Sequence, residues 1–81
     1  MRVNVRLFAR LRDIAGSGEL TRETPAGSTV GALWKSLVAE YPDLAPYEKS
    51  ISCAVNTDYS KFSQTIAEGD EVAFLPPVSG G

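Results

Sequence analysis

The segment Pro76-Pro77-Val78-Ser79-Gly80-Gly81 has the residue types of a chemical handle. The two prolines stiffen the chain and aim it outward. Beyond them side chains shrink from Val78 to Ser79 and vanish at Gly80 and Gly81. Five extended residues from Pro77 reach about 17 Å. The glycines have no Cβ to obstruct a narrow channel in a partner. The expected reactive group is the unhindered carboxylate of Gly81. A carboxylate is a poor electrophile until a nucleotide triphosphate converts it to an acyl-adenylate with AMP as leaving group. Sulfur attack on that mixed anhydride leaves a thiocarboxylate, whose polarisable sulfur can attack carbon. Such chemistry asks almost nothing of the carrier's own side chains.

The other candidates are weaker. The chain has no histidine and one cysteine, which excludes Ser-His and Cys-His pairs, an internal disulfide and multi-thiolate metal sites. Cys53 lies on the apolar side of an alternating stretch and reads as a small buried hydrophobe. Asp70 and Glu71 are adjacent, so on a strand they diverge to opposite faces, and Asp70 is expected to shape a turn. Gly16-Ser17-Gly18 lacks the spacing and the lysine of a phosphate loop. Arg6, Arg10 and Arg12 read as a solvated face, with a docking patch for an acidic partner or a phosphorylated small molecule as the alternative. No metal site and no permanently bound cofactor is expected.

The elements that position the handle follow from periodicity. Arg2 to Phe8 alternates polar and apolar residues and predicts a half-buried strand. Ala9 to Ala15 predicts a short helix ended by Gly16, and Leu20 to Thr24 a weaker strand. Ser28 or Thr29 can cap a helix in which Val30, Leu33, Trp34, Leu37, Val38 and Tyr41 form one apolar stripe, with Trp34 as core anchor. Pro42 stops it, and Asp43 to Ser50 reads as an irregular connection. Ile51 to Val55 predicts a strand, Asn56-Thr57-Asp58 a turn, and Tyr59 to Ile66 a mixed stretch containing a short edge strand. Glu68-Gly69-Asp70 turns into a last strand, Glu71 to Leu75, halted by the prolines.

One amphipathic helix cannot bury itself and must lie across one face of a mixed sheet. This order in about eighty residues is what an α+β, β-grasp (ubiquitin-like) roll requires. The expected organisation is one domain over residues 1–76 and an extended tail over residues 77–81. With 43% hydrophobic and 22% charged residues, composition is that of a globular domain. A formal charge of −2 argues against a nucleic-acid or anionic-membrane binder. No stretch approaches the roughly 20 apolar residues of a membrane span, no export signal is visible, and a cytoplasmic protein is expected.

Gly69 through Gly81 resembles the ending of the small, sulfur-carrying subunits of molybdopterin synthases. Ala54-Val55-Asn56, Phe8-Ala9-Arg10-Leu11-Arg12 with Gly16, and Thr29-Val30 with Leu33 extend the resemblance over most of the chain. The resemblance implies that an E1-like adenylyltransferase activates Gly81 with ATP and that a sulfurtransferase system supplies the sulfur. It implies insertion of the tail into a large synthase subunit, within a heterotetramer, to convert cyclic pyranopterin monophosphate into the dithiolene of molybdopterin. The chain would be non-catalytic alone. Pro76, Pro77, Val78, Ser79 and Gly80 would contact the partner along the inserted tail. Arg12 matches a family arginine near the base of the tail, and Tyr59 and Leu75 fall at positions of an exposed hydrophobic docking patch. Leu75 stands where relatives more often carry the second residue of a Phe-Phe pair. The alternatives are a sulfur carrier for thiamine, cysteine or tRNA thiolation, a ubiquitin-like protein modifier joined to lysines, and an interaction module whose tail is inert.

Overall fold

The computed structural model of the 81-residue chain describes residues 1–77. Val78, Ser79, Gly80 and Gly81, on which most of the extended-tail reading falls, lie outside the described residues.

Strand β1 covers Arg2–Leu7 and buries every second residue, Val3, Val5 and Leu7. Helix α1, Ala9–Ala15, follows at once and ends at Gly16, whose φ of 78° lets its N–H donate to the Arg12 carbonyl at 2.8 Å. Strand β2, Glu19–Glu23, returns antiparallel to β1. Helix α2, Val30–Glu40, is capped by Thr29, whose side chain accepts from the Ala32 N–H at 3.1 Å. Its stripe buries Val30, Leu33, Trp34 and Leu37, with Val38 and Tyr41 half-buried. Strands β3 (Ser52–Val55), β4 (Asp58–Ser60) and β5 (Glu71–Leu75) complete a five-stranded sheet in the order β2-β1-β5-β3-β4. Only β1 and β5 run parallel; the other three pairings are antiparallel. A mixed sheet with its first and last strands side by side, and one main helix on one face, is the β-grasp roll that the element order predicts.

One core holds these pieces together. Trp34 is fully buried, with its ring centroid 5.1 Å from Phe74 of β5 and 6.5 Å from Phe62. Its Nε1 is buried without a hydrogen-bond partner among the described residues, a cost set against a large apolar burial. Gly31 lets the loop before β5 close on the start of α2. Its N–H donates to the Phe62 carbonyl at 2.9 Å, and a Cβ there would stand 3.2 Å from the same oxygen.

Three sequence expectations shift. Residues expected as an irregular connection form a 3₁₀ helix, Pro42–Tyr47. Pro42 tolerates the first position of a helical turn, and fully buried Leu44 pins that turn to the core. The edge strand starts at Asp58 and ends at Ser60, because the two-residue turn Asn56-Thr57 already leaves Asp58 paired with Val55. The third strand begins at Ser52 because the Ile51 N–H is taken by the Tyr47 carbonyl at 3.0 Å.

Asp70 shapes its turn as expected. Its carboxylate accepts from the Ala67 N–H at 2.8 Å and from Asn56 Nδ2 at 2.9 Å. Asn56 exchanges two further bonds with Glu71, its N–H reaching the Glu71 carbonyl and its Oδ1 accepting from the Glu71 N–H. This clasp ties the β3–β4 turn to the start of β5 and so sets where the last strand begins.

Candidate functional site

Alternation along the strands determines what the sheet shows on its second face. Val3, Val5, Leu7, Val72, Phe74 and Cys53 belong to the core, together with buried residues of both α-helices and the 3₁₀ helix. The intervening residues therefore point away from the helices. Register sets Arg6 of β1 beside Ala73 of β5, Ala73 beside Ala54 of β3, and Ala54 beside Tyr59 of β4. The result is one row across four strands, mostly apolar and without a covering element among the described residues. Tyr59 is 80% exposed and is the exposed large hydrophobic residue among those described. Leu75, one pleat further along β5, pairs with Ser52. A shallow hollow between Phe8, Thr57, Tyr59 and Leu75 joins these residues.

Arg6 and Glu71 bring opposite charges to this face, and both line the hollow. The Arg6 guanidinium carbon stands 5.2 Å from the centre of the Phe8 ring, and its Nε lies 3.8 Å from Glu19 Oε1. Both charged side chains are substantially solvated, so the ion pair adds little stability.

At the end of β5 the open face runs into a groove of about 550 Å³. Phe8, Ala9 and Arg10 come from the β1–α1 junction, Tyr47 from the end of the 3₁₀ helix, and Leu75, Pro76 and Pro77 from the outgoing chain. Pro76 is half-buried and Pro77 exposed, so the polypeptide surfaces between them. The backbone around this region is strained. Outside glycine, positive φ occurs at Ala9 (51°), Asn56 (50°) and Thr57 (75°) among the described residues. Ala9 borders the groove and Thr57 the hollow, so two of the three costly conformations sit at the candidate site.

The structure thus brings Tyr59, Leu75, Pro76 and Pro77 onto one continuous surface. Arg12 is set apart from it. Its aliphatic stem lies over Gly18, where an added Cβ would stand 3.0 Å from Arg12 Cδ. The arginine cluster divides accordingly, with Arg6 on the sheet, Arg10 in the groove and Arg12 beside the turn into β2. Cys53 is buried and satisfied, its Sγ 3.2 Å from the Ser60 carbonyl. The proposed reactive positions Gly81, Gly80, Ser79 and Val78 lie outside the described residues.

Phe8, Ala54, Ala73 and Tyr47 were not singled out as site residues by sequence reasoning. The first three carry the signal of the uncovered phase of the strand alternation, Phe8 two residues from Arg6, Ala73 two from Leu75, and Ala54 between Cys53 and Val55 of the apolar phase. Tyr47 carries no local signal, because only tertiary packing brings the 3₁₀ helix to the end of β5. No group of three His, Cys, Asp or Glu side chains is placed to hold a metal, and no helix is long and apolar enough to cross a membrane, among the described residues.

Comparison with known proteins agrees with this fold. The chain is 37% identical over 79 residues to a molybdopterin synthase sulfur carrier subunit of Arabidopsis thaliana, covering 98% of this chain and 82% of that protein. It is 35% identical over 83 residues to the protein of the same name in Chlamydomonas reinhardtii, covering both completely. The crystal structure of SAMP1 from Haloferax volcanii superposes with a TM-score of 0.86 at 30% identity, again over the whole of both chains. The ThiS family profile matches residues 5–81, nearly the entire length, and the chain therefore belongs to the ThiS family.

Proposed function

We propose that this chain is the sulfur carrier subunit of a molybdopterin synthase. The observation that supports the reading most directly is the convergence of the uncovered apolar row, the groove and the outgoing prolines at the end of one central strand. A partner gripping Tyr59 and Leu75 receives the residues after Pro77 at a defined place. Its full-length likeness to the plant and algal sulfur carrier subunits supplies the identity of the pathway.

In this reading Gly81 is the loaded residue. An E1-like adenylyltransferase joins a carboxylate oxygen to the α-phosphorus of ATP and releases pyrophosphate. A sulfurtransferase system then delivers sulfur to the acyl carbon, and AMP leaves with the oxygen. The thiocarboxylate, carried past Pro76 and Pro77 by Val78, Ser79 and Gly80, enters the large subunit. There its sulfur bonds to a carbon of cyclic pyranopterin monophosphate as a carbon–oxygen bond of that precursor breaks, and water cleaves the acyl–sulfur bond, leaving sulfur on the pterin and a carboxylate on the tail. Two loaded chains supply the two sulfurs of the dithiolene. The carrier's own contribution is docking, direction and reach. ATP is consumed by the activating partner, and the acid-base groups belong to the large subunit.

Intact-mass measurement tests the proposal. Incubation with an E1-like enzyme, ATP and a sulfur source should exchange one oxygen for sulfur at Gly81, and deletion of Gly81 should abolish the exchange without altering thermal stability. An unchanged mass in the full chain rejects the carrier reading. A second reading, a protein modifier, is favoured by the likeness to a small archaeal modifier protein 1 of Haloferax volcanii, 32% identical over 84 residues. That reading requires isopeptide adducts on lysines of other proteins in cell extracts. Dithiolene formed on mixing the loaded chain with a large subunit and the pterin precursor decides for the synthase.

A further inference from the structure

We propose that Glu71 is a specificity-determining residue of the docking surface: its carboxylate, paired with no cation among the described residues, receives a lysine or arginine side chain of the large subunit. The inference rests on the carrier reading above and deepens it, because it states the chemistry the partner must bring to one place on the sheet.

Alternation puts Glu71 on the open face. Val72 and Phe74 are fully buried, so Glu71, Ala73 and Leu75 take the other phase of β5. Register sets Glu71 beside Asn4 of β1, in the row next to the one that holds Arg6, Ala73, Ala54 and Tyr59. It lines the apolar hollow with Tyr59 and Leu75, and also a second, polar hollow with Asn4, Arg6, Glu19 and Thr21. Glu71 therefore stands at the seam between the apolar and the polar halves of the face. Its backbone is held on both sides. The Glu71 N–H donates to Asn56 Oδ1 at 2.9 Å, and its carbonyl accepts from the Asn56 N–H at 2.8 Å. On the other side the Asn4 N–H donates to the carbonyl of the preceding Asp70 at 2.9 Å.

The neighbouring charges of this face are already matched. Arg2 pairs with Glu23 at 2.9 Å, and Arg6 faces Glu19 at 3.8 Å, on alternate residues of β1 and β2. Glu71 joins no ion pair among the described residues, although it is half-buried. The polar hollow thus holds one arginine against two glutamates and is acidic on balance. Water solvates that surplus in the free domain. A partner seated on Ala73, Ala54 and Tyr59 strips water from Glu71, and only a cation brought to the same spot offsets the loss. A surface with an apolar or acidic side chain there is rejected, so one carboxylate selects among surfaces that would fit the apolar row equally well.

The test compares full chains for affinity to the large subunit, by calorimetry at low and high salt. The unaltered chain should bind more weakly as salt rises. Glu71→Gln should weaken binding about 10-fold at low salt and flatten the salt dependence. Its melting temperature should be unchanged, because no described residue bonds to the carboxylate. Glu40→Gln changes the net charge equally, at the end of α2 on the helix side of the sheet, and should bind as the unaltered chain does. Glu71→Lys should weaken binding about 100-fold. Replacing the basic residues of the large subunit with glutamate, one at a time, should yield one variant that restores it. Equal affinity of Glu71→Gln and the unaltered chain overturns the proposal, as do an equal loss in Glu40→Gln or the failure of every exchange to restore folded Glu71→Lys. If Glu71→Gln melts at a lower temperature, Glu71→Ala takes its place in the same comparison. The carrier reading fails by a separate sign, an unaltered chain that gains no sulfur at Gly81 and does not bind the large subunit, and the charge assignment falls with it.

Discussion

The two faces of the sheet are made by the same strands and differ in one respect, whether anything covers them. On the helix side Val3, Val5, Val72 and Phe74 are fully buried around Trp34. On the other side Arg6, Ala73, Ala54 and Tyr59 stand in a row over which no helix or strand of the described residues packs, Ala54 being buried by its neighbours in the sheet. A change of one residue along a strand moves a side chain from the first role to the second. Folding and partner recognition can therefore be altered independently although they share β1, β3 and β5.

Trp34→Ala is the strongest challenge to that independence. It should cost about 3–5 kcal/mol in urea denaturation, much of the stability of a domain this small. Any loss of sulfur transfer should vanish under conditions where the variant remains folded. Tyr59→Ala is the reciprocal experiment. It should leave the denaturation midpoint unchanged and weaken partner binding about 10- to 30-fold, measured by calorimetry. A comparable loss of stability would mean that the exposed face also supports the fold.

Much of this arrangement is legible from residue order, and for a physical reason. Val3, Val5 and Leu7, the Val30 to Leu37 stripe, and Val72 with Phe74 repeat at the periods of strand and helix, so each announces its own buried face. The family resemblance led to Tyr59 and Leu75. What stayed hidden depends on contacts distant in sequence. Pro42 and Pro46 argue against an α-helix and say nothing of a 3₁₀ turn pinned by Leu44. Tyr47 lines the same groove as the outgoing prolines only once α1, β5 and the 3₁₀ helix have assembled. Phe8 was read as part of a family signature, and its position over Arg6 required the third dimension.

Smaller effects sharpen the contrast between the faces. Thr29→Ala removes the bond from the Ala32 N–H and should cost about 1 kcal/mol in thermal denaturation, with partner affinity unchanged. Thr57→Gly acts in the opposite direction on the open side. A β-branched residue at φ 75° is strained, and glycine should gain about 0.5 kcal/mol. A lower melting temperature in this variant would show that the turn is relaxed as it stands. A gain in stability together with weaker docking would show that Thr57 itself meets the partner.

The central place of β5 has a mechanical consequence. This strand is hydrogen-bonded to β1 on one side and β3 on the other, and the chain continues from its end through Pro76. A pull on that continuation acts along the strand axis and loads both ladders in shear, so many bonds must give way together. The domain should resist traction from that end far better than traction that peels the short β4 from the opposite margin one bond at a time.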